Sequence, residues 1–189
     1  AVGCVPYGMP RMMAVALYPV EIIQRPDQIT MVTEAFSEVR RVFLNKPQLP
    51  FDEVPPGYYG RSVGKWDGST LVVDTVGIDD RTWVDGFGTP HTKQLHVVER
   101  YRLIEDGKVL EANVYVEDPG TFTRPWNGIQ RFRQYEAAVR QLQDRIHEIP
   151  QLASTKEGPL QELVCAENPS SFFATQDAKP IPQTIKPDF

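Results

Sequence analysis

Two of the chain's three histidines and one misplaced carboxylate crowd into a single stretch, PHTKQLHVVERYRL, from Pro90 to Leu103. Counting by twos puts Leu95, Val97, Glu99, Tyr101 and Leu103 on one strand face and His96, Val98, Arg100 and Arg102 on the other. Glu99 therefore interrupts an apolar stripe. A carboxylate facing a core must find a cation, find hydrogen-bond donors or take up a proton, because an unpaired buried charge is costly. Asp74 repeats the anomaly in LVVDTV, where it shares a face with Val72 and Val76, opposite Leu71, Val73 and Thr75.

Two acids in valine-rich strands form a candidate acid and base whose environments separate their pKa values. The ordinary alternative is an ion pair of each with Arg40, Arg41, Arg100, Arg131 or Arg133, or an Asp74 that faces solvent. His91 lies in a loop with Asp79, Asp80 and Asp85, the kind of setting in which a carboxylate fixes an imidazole tautomer. His91 and His96 are thus candidate proton-transfer or orienting groups, with Asp80 as a partner; a purely structural hydrogen-bonded loop is the competing reading. His91, His96 and Glu99 have a spacing like that of a metal site, but on a strand His96 and Glu99 point to opposite faces, so no metal is expected. The three loop aspartates lack the full calcium-loop pattern.

Trp83, Tyr101 and Trp126 supply candidate substrate contacts, and Ile129, Arg131, Arg133 and Tyr135 align on one strand face. From there Arg133 and Tyr135 are candidates to hold an anionic group of a ligand, an outward arginine ladder being the plain alternative. No GxSxG, GxGxxG or P-loop string is present, so triad hydrolysis and the common nucleotide folds are set aside and no organic cofactor is expected.

The elements that must position these residues read as short strands. Residues 20–25, 28–36 and 38–44 are rich in β-branched and aromatic side chains and predict consecutive antiparallel strands. A proline-rich passage from Lys46 to Gly57 predicts a surface loop. Two hairpins follow, with turns expected at Asp67-Gly68 and Asp106-Gly107. They are separated by a long loop, Gly77 to Lys93, of a length often tied to function. A second loop, Asp118 to Gly128, leads into the strand IQRFRQYE. Val139, Leu142, Ile146 and Ile149 then recur at helical spacing up to Pro150, predicting one late amphipathic helix over about 136–150. A short strand and a proline-rich tail, 169–189, close the chain.

The expected fold is all-β: an antiparallel meander closing into a lipocalin-like β-barrel of about 8–10 strands, as one domain over 1–168. A chain of 189 residues buries roughly 70% of its unfolded surface without metal or disulfide help. With 25 acidic and 20 basic residues and no basic block, no nucleic-acid partner is expected. No apolar run approaches the roughly 20 residues of a spanning helix, so no membrane span is expected. The first residues lack the parts of a signal peptide, and the missing initiator Met reads as a processed or trimmed chain. Cys4 and Cys165, the only cysteines, either bridge or remain buried thiols.

The strings GMPRMM, RSVGKWDGSTLVVDTVG, PHTKQLHVVERYRL, EDPGTFTRPW and ELVCAEN together resemble a widespread group of uncharacterised exported bacterial proteins. Comparable stretches there look like PGMPR, GHSVGRWEGDTLVVDTVGF, PHSELHVVERF, DPGAYTRPW and a terminal CxEN. The resemblance spans roughly residues 3 to 168. It implies export to the periplasm or beyond, and with it a Cys4–Cys165 disulfide. Arg61 stands where the group carries His, and the segment from about Ala137 to Gly158 is atypical, so no role of that histidine transfers. The leading expectation is an exported β-barrel enzyme, a lyase or isomerase, acting by acid–base chemistry on a small apolar or aromatic metabolite. The alternatives are a non-catalytic lipocalin-like binding protein and a structural envelope module.

Overall fold

Alternation along the strands dictates the architecture of the computed structural model, which describes residues 5–14 and 18–134. A four-residue helix, α1 (Arg11–Ala14), precedes eight strands: β1 (Val20–Gln24), β2 (Gln28–Thr33), β3 (Val39–Leu44), β4 (Arg61–Asp67), β5 (Thr70–Val76), β6 (His96–Ile104), β7 (Val109–Glu117) and β8 (Trp126–Arg133). They form one sheet in sequence order, curled into a half-barrel. The fold is all-β and barrel-like. Among the described residues, β1 and β8 are its two free edges. From Pro6 onward the described residues belong to one compact unit. The expected late helix, Tyr135, Cys4, Cys165 and the tail lie outside the described residues.

The inner face is the core. Ile29 and Met31 on β2, Val42 and Leu44 on β3, Leu71 and Val73 on β5, and Val97 on β6 are buried there. They are joined by Met9, Met12 and Met13 from the N-terminal segment. Full burial of such side chains contributes about 1.5–3 kcal/mol each. Side chains fill the concave side.

Four local features differ from the sequence expectation. β3 and β4 pair in parallel, Val42 opposite Ser62, whereas the other neighbours are antiparallel. The proline-rich connection is long enough to run back along the sheet, which a parallel pair requires. In the β4–β5 hairpin Asp67 pairs with Thr70, so Gly68 and Ser69 form the turn, with Gly68 in the left-handed region at φ 59°; Gly at the first central position suits a two-residue loop. In the β6–β7 hairpin Ile104 pairs with Val109, which leaves a four-residue loop in which Glu105, Asp106 and Gly107 all have positive φ. β8 also begins earlier than expected, at Trp126.

Candidate functional site

Glu99 does point inward, and its partner comes from three strands away. Arg40 on β3 donates from Nη1 to Glu99 Oε1 (3.1 Å) and from Nη2 to Oε2 (2.5 Å), a two-pronged pair with both side chains 0% exposed. Tyr101 donates its hydroxyl to Oε1 at 2.5 Å. Arg40 also donates to Ser62 Oγ (3.1 Å) and Thr75 Oγ1 (2.9 Å), and those two hydroxyls bond one another at 2.9 Å. Burial alone would lower the Arg40 pKa, but the Glu99 carboxylate and Tyr101 raise it above its ordinary value. Tyr101 is pushed up by burial and by Glu99. The cluster closes a polar circuit within an apolar core.

Asp74 and His96 meet on the opposite, outer face. His96 Nε2 lies 3.2 Å from Asp74 Oδ2, and Nδ1 lies 2.7 Å from Glu117 Oε1. The register explains this: Asp74 is opposite Val98 and His96 opposite Glu117, so His96 is flanked by one acid diagonally and one directly. Gln48 donates to Asp74 Oδ1 (2.8 Å) and Tyr115 donates to Glu117 Oε2 (2.7 Å), so a continuous polar row crosses from the proline-rich loop to β7. Asp74 holds the imidazolium first, against burial, and Glu117 adds to it, raising His96 to about 9. For Asp74, the hydrogen bonds from His96 and Gln48 outweigh the upward push of burial, so its pKa falls. Glu117 falls as well, through His96 and then Tyr115. At neutral pH the row is a cation between two carboxylates.

Beside this row lies an open groove of about 430 Å³, lined by Lys46, Gln48, Val63, Lys65, Val72, Asp74 and Val98 among others. The lining combines valines of three adjacent strands with Lys46, Lys65 and Asp74. A volume of this order suits a small molecule.

The remaining candidates do not join either cluster. His91 is buried in the long loop, with Nδ1 donating to the Thr92 carbonyl (2.9 Å) and Nε2 against Thr82 Oγ1 (2.9 Å). Asp80 is exposed. Asp79 is held to about 2 chiefly by hydrogen bonds from Arg81. Asp85 accepts from the Phe87 and Thr89 amides and the Thr89 hydroxyl. Those two carboxylates are spent on the loop itself, and no cluster of three His, Cys, Asp or Glu with metal-holding geometry occurs among the described residues. Trp83 is half-exposed beneath the Arg11 guanidinium (5.4 Å). Trp126 packs edge-on to Phe122. Arg133 pairs with Glu105 at 3.1 Å, and Arg131 joins Arg102 in enclosing Glu111, so the arginine face of β8 does not reach Glu99 or Glu117.

Sequence reasoning placed Arg40 only within a pool of possible partners and missed Gln48 and Tyr115 as members of the outer row. The direct His96–Glu117 pairing was implicit in the hairpin: counting back from its turn puts those residues opposite one another. Gln48 carries no such signal, because its position depends on the path of an irregular loop. No family model, no curated protein and no solved structure matches this chain.

Proposed function

We propose that this chain is a small-ligand-binding β-module whose site is the outer-face groove, and that its ligand is a small apolar molecule bearing an anionic group. The observation that carries this reading is the lining of the groove, which combines Val63, Val72 and Val98 with two lysines, Lys46 and Lys65. Asp74, the one acid in the lining, shares His96 with Glu117, so the row keeps a single net negative charge against the two lysines, which set the sign of the local field. Glu99 belongs to the scaffold in this reading, since Arg40 and Tyr101 occupy it and its side chain is wholly buried.

A second reading, acid–base chemistry on the bound molecule, draws on a convergence beside the groove: Asp74 lines it and touches His96. Both imidazole nitrogens are held by carboxylates, so a substrate would first have to displace one of them. Binding therefore comes before catalysis in what the geometry supports. Export, and membership of the exported group that the chain resembles, stand beside this as proposals resting on the shared strings.

The test is amide chemical-shift perturbation with benzoate and hexanoate as probes and benzyl alcohol and hexanol as uncharged controls. Expected are shifts centred on Val63, Val72 and Val98 with millimolar affinity, about −4 kcal/mol, seen for the acids and lost in the K46E/K65E double variant. Absence of groove shifts up to about 10 mM, or equal response to the alcohols, overturns the proposal.

A further inference from the structure

Glu38, just ahead of β3, is a buried carboxyl that neither cluster uses. It is only 3% exposed. One oxygen accepts the Tyr7 backbone N–H, and the other, Oε2, is buried with no hydrogen-bond partner among the described residues. The N-terminal segment brings Tyr7 and Arg11 against it. Arg11 stacks its guanidinium over the Tyr7 ring (4.3 Å), and its own Nε is also buried without a partner among the described residues. The loop ahead of β4 brings Tyr59, which feels the Glu38 charge, and Tyr58, whose carbonyl accepts the Met9 N–H at 3.0 Å. Tyr18 in turn acts on Tyr7.

The backbone leading into Glu38 is unusual. Phe36 and Ser37 are consecutive non-glycine residues in the left-handed region, at φ 56° and 50°. Such conformations persist only when their surroundings hold them. Here the Phe36 ring packs edge-on to Tyr7, with centroids 4.9 Å apart. The strained turn, the carboxyl and the N-terminal segment are thus one contact cluster, and the same segment delivers Met9, Met12 and Met13 to the core.

We infer that Glu38 is a proton-operated latch: its neutral carboxyl lets residues 7–13 dock on the β2–β3 turn, and its ionised form, with one oxygen lacking a donor, loosens that docking. An uncharged group without a partner costs far less to bury than a charge without one. Burial pushes Glu38 up, against the Tyr7 N–H and Arg11, to about 7. Because this lies above the value of 4.5 for a free carboxyl, docking is fully supported below about pH 4.5 and weakens as pH rises through about 7.

The experiment is hydrogen exchange at the Tyr7 and Met9 amides of the full chain across about pH 5.5 to 8.5, corrected for intrinsic base catalysis, with a parallel ¹³C titration of the glutamate carboxyls. Expected is a loss of protection of at least about tenfold between about pH 5.5 and 7 that levels off above neutrality, absent in Glu38→Gln, and an Arg11→Gln variant whose Glu38 titrates at higher pH. A Glu38 carboxyl titrating below about pH 5, or the same pH profile in wild type and Glu38→Gln, overturns the latch. The carboxyl titration needs only wild-type protein, so the proposal stays testable if a variant fails to fold.

Discussion

Removing Arg40 while leaving Glu99 in place is expected to be among the most damaging single changes in the sheet, and removing the whole cluster among the milder ones. Both side chains are 0% exposed, so Arg40→Met strands a carboxylate in the core with Tyr101 as its one remaining donor among the described residues. Breaking one side of such a pair costs about 3–5 kcal/mol, a large share of the roughly 5–15 kcal/mol that stabilises a domain. Replacing both partners, Arg40→Met with Glu99→Met, removes the stranded charge. Ser62 and Thr75 keep their mutual bond at 2.9 Å, but the Tyr101 hydroxyl loses its acceptor. That orphan costs about 1–3 kcal/mol, so the double variant regains only part of the loss. Adding Tyr101→Phe removes the orphan and is expected to bring stability within about 1.5 kcal/mol of wild type. Equilibrium urea denaturation at neutral pH, followed by tryptophan fluorescence and circular dichroism, reads all three. An Arg40→Met cost under about 1 kcal/mol, or a triple variant as unstable as Arg40→Met, would refute the assignment of this cluster to a satisfied structural circuit. Groove binding of benzoate is expected to survive in the triple variant, since the cluster faces the other side of the sheet.

His96→Gln tests the outer row. The folded imidazole at about 9 lies above its free value of 6.5, so its contribution is complete below about pH 6.5 and is lost as pH rises through about 9. The difference in pKa corresponds to about 3 kcal/mol; with Asp74 and Glu117 38% and 36% exposed, solvent screening leaves about 1–2 kcal/mol. Stability measured against pH is expected to show that gap between wild type and His96→Gln near neutrality and its closure above about pH 10; a gap that persists in alkali, or a ring-proton titration of His96 near 6.5, contradicts it. For the proposed Cys4–Cys165 bridge, intact mass with thiol labelling is expected to show no label taken up until reductant is added, and label uptake without reductant removes the bridge.

The chain's own pattern determined a good deal. Period-two alternation in LHVVERYRL put Glu99 inside and His96 outside before any partner was known, whereas in LVVDTV, apolar on both faces, it left the buried face of β5 open, and the structure turns Asp74 outward. Asp106-Gly107 marked where the β6–β7 hairpin turns, and that made the His96–Glu117 pairing a matter of counting; at β4–β5 the turn lies one residue beyond the expected Asp67-Gly68. These are local facts, set by steric geometry over a few residues. Tertiary structure decided what each polar side chain meets. Arg40 reaches Glu99 across 59 positions because β3 and β4 pair in parallel and the sheet curls. Nothing in the neighbourhood of either residue distinguishes Arg40 from Arg41, which differ only in the face they present. Glu38 shows the same limit: it reads as the first residue of a strand in SEVRR, and nothing nearby in sequence marks it as buried against Tyr7 of the N-terminal segment. Burial and charge pairing are properties of surfaces brought together over long separations. Their energies depend on register and curvature that no short window of sequence contains.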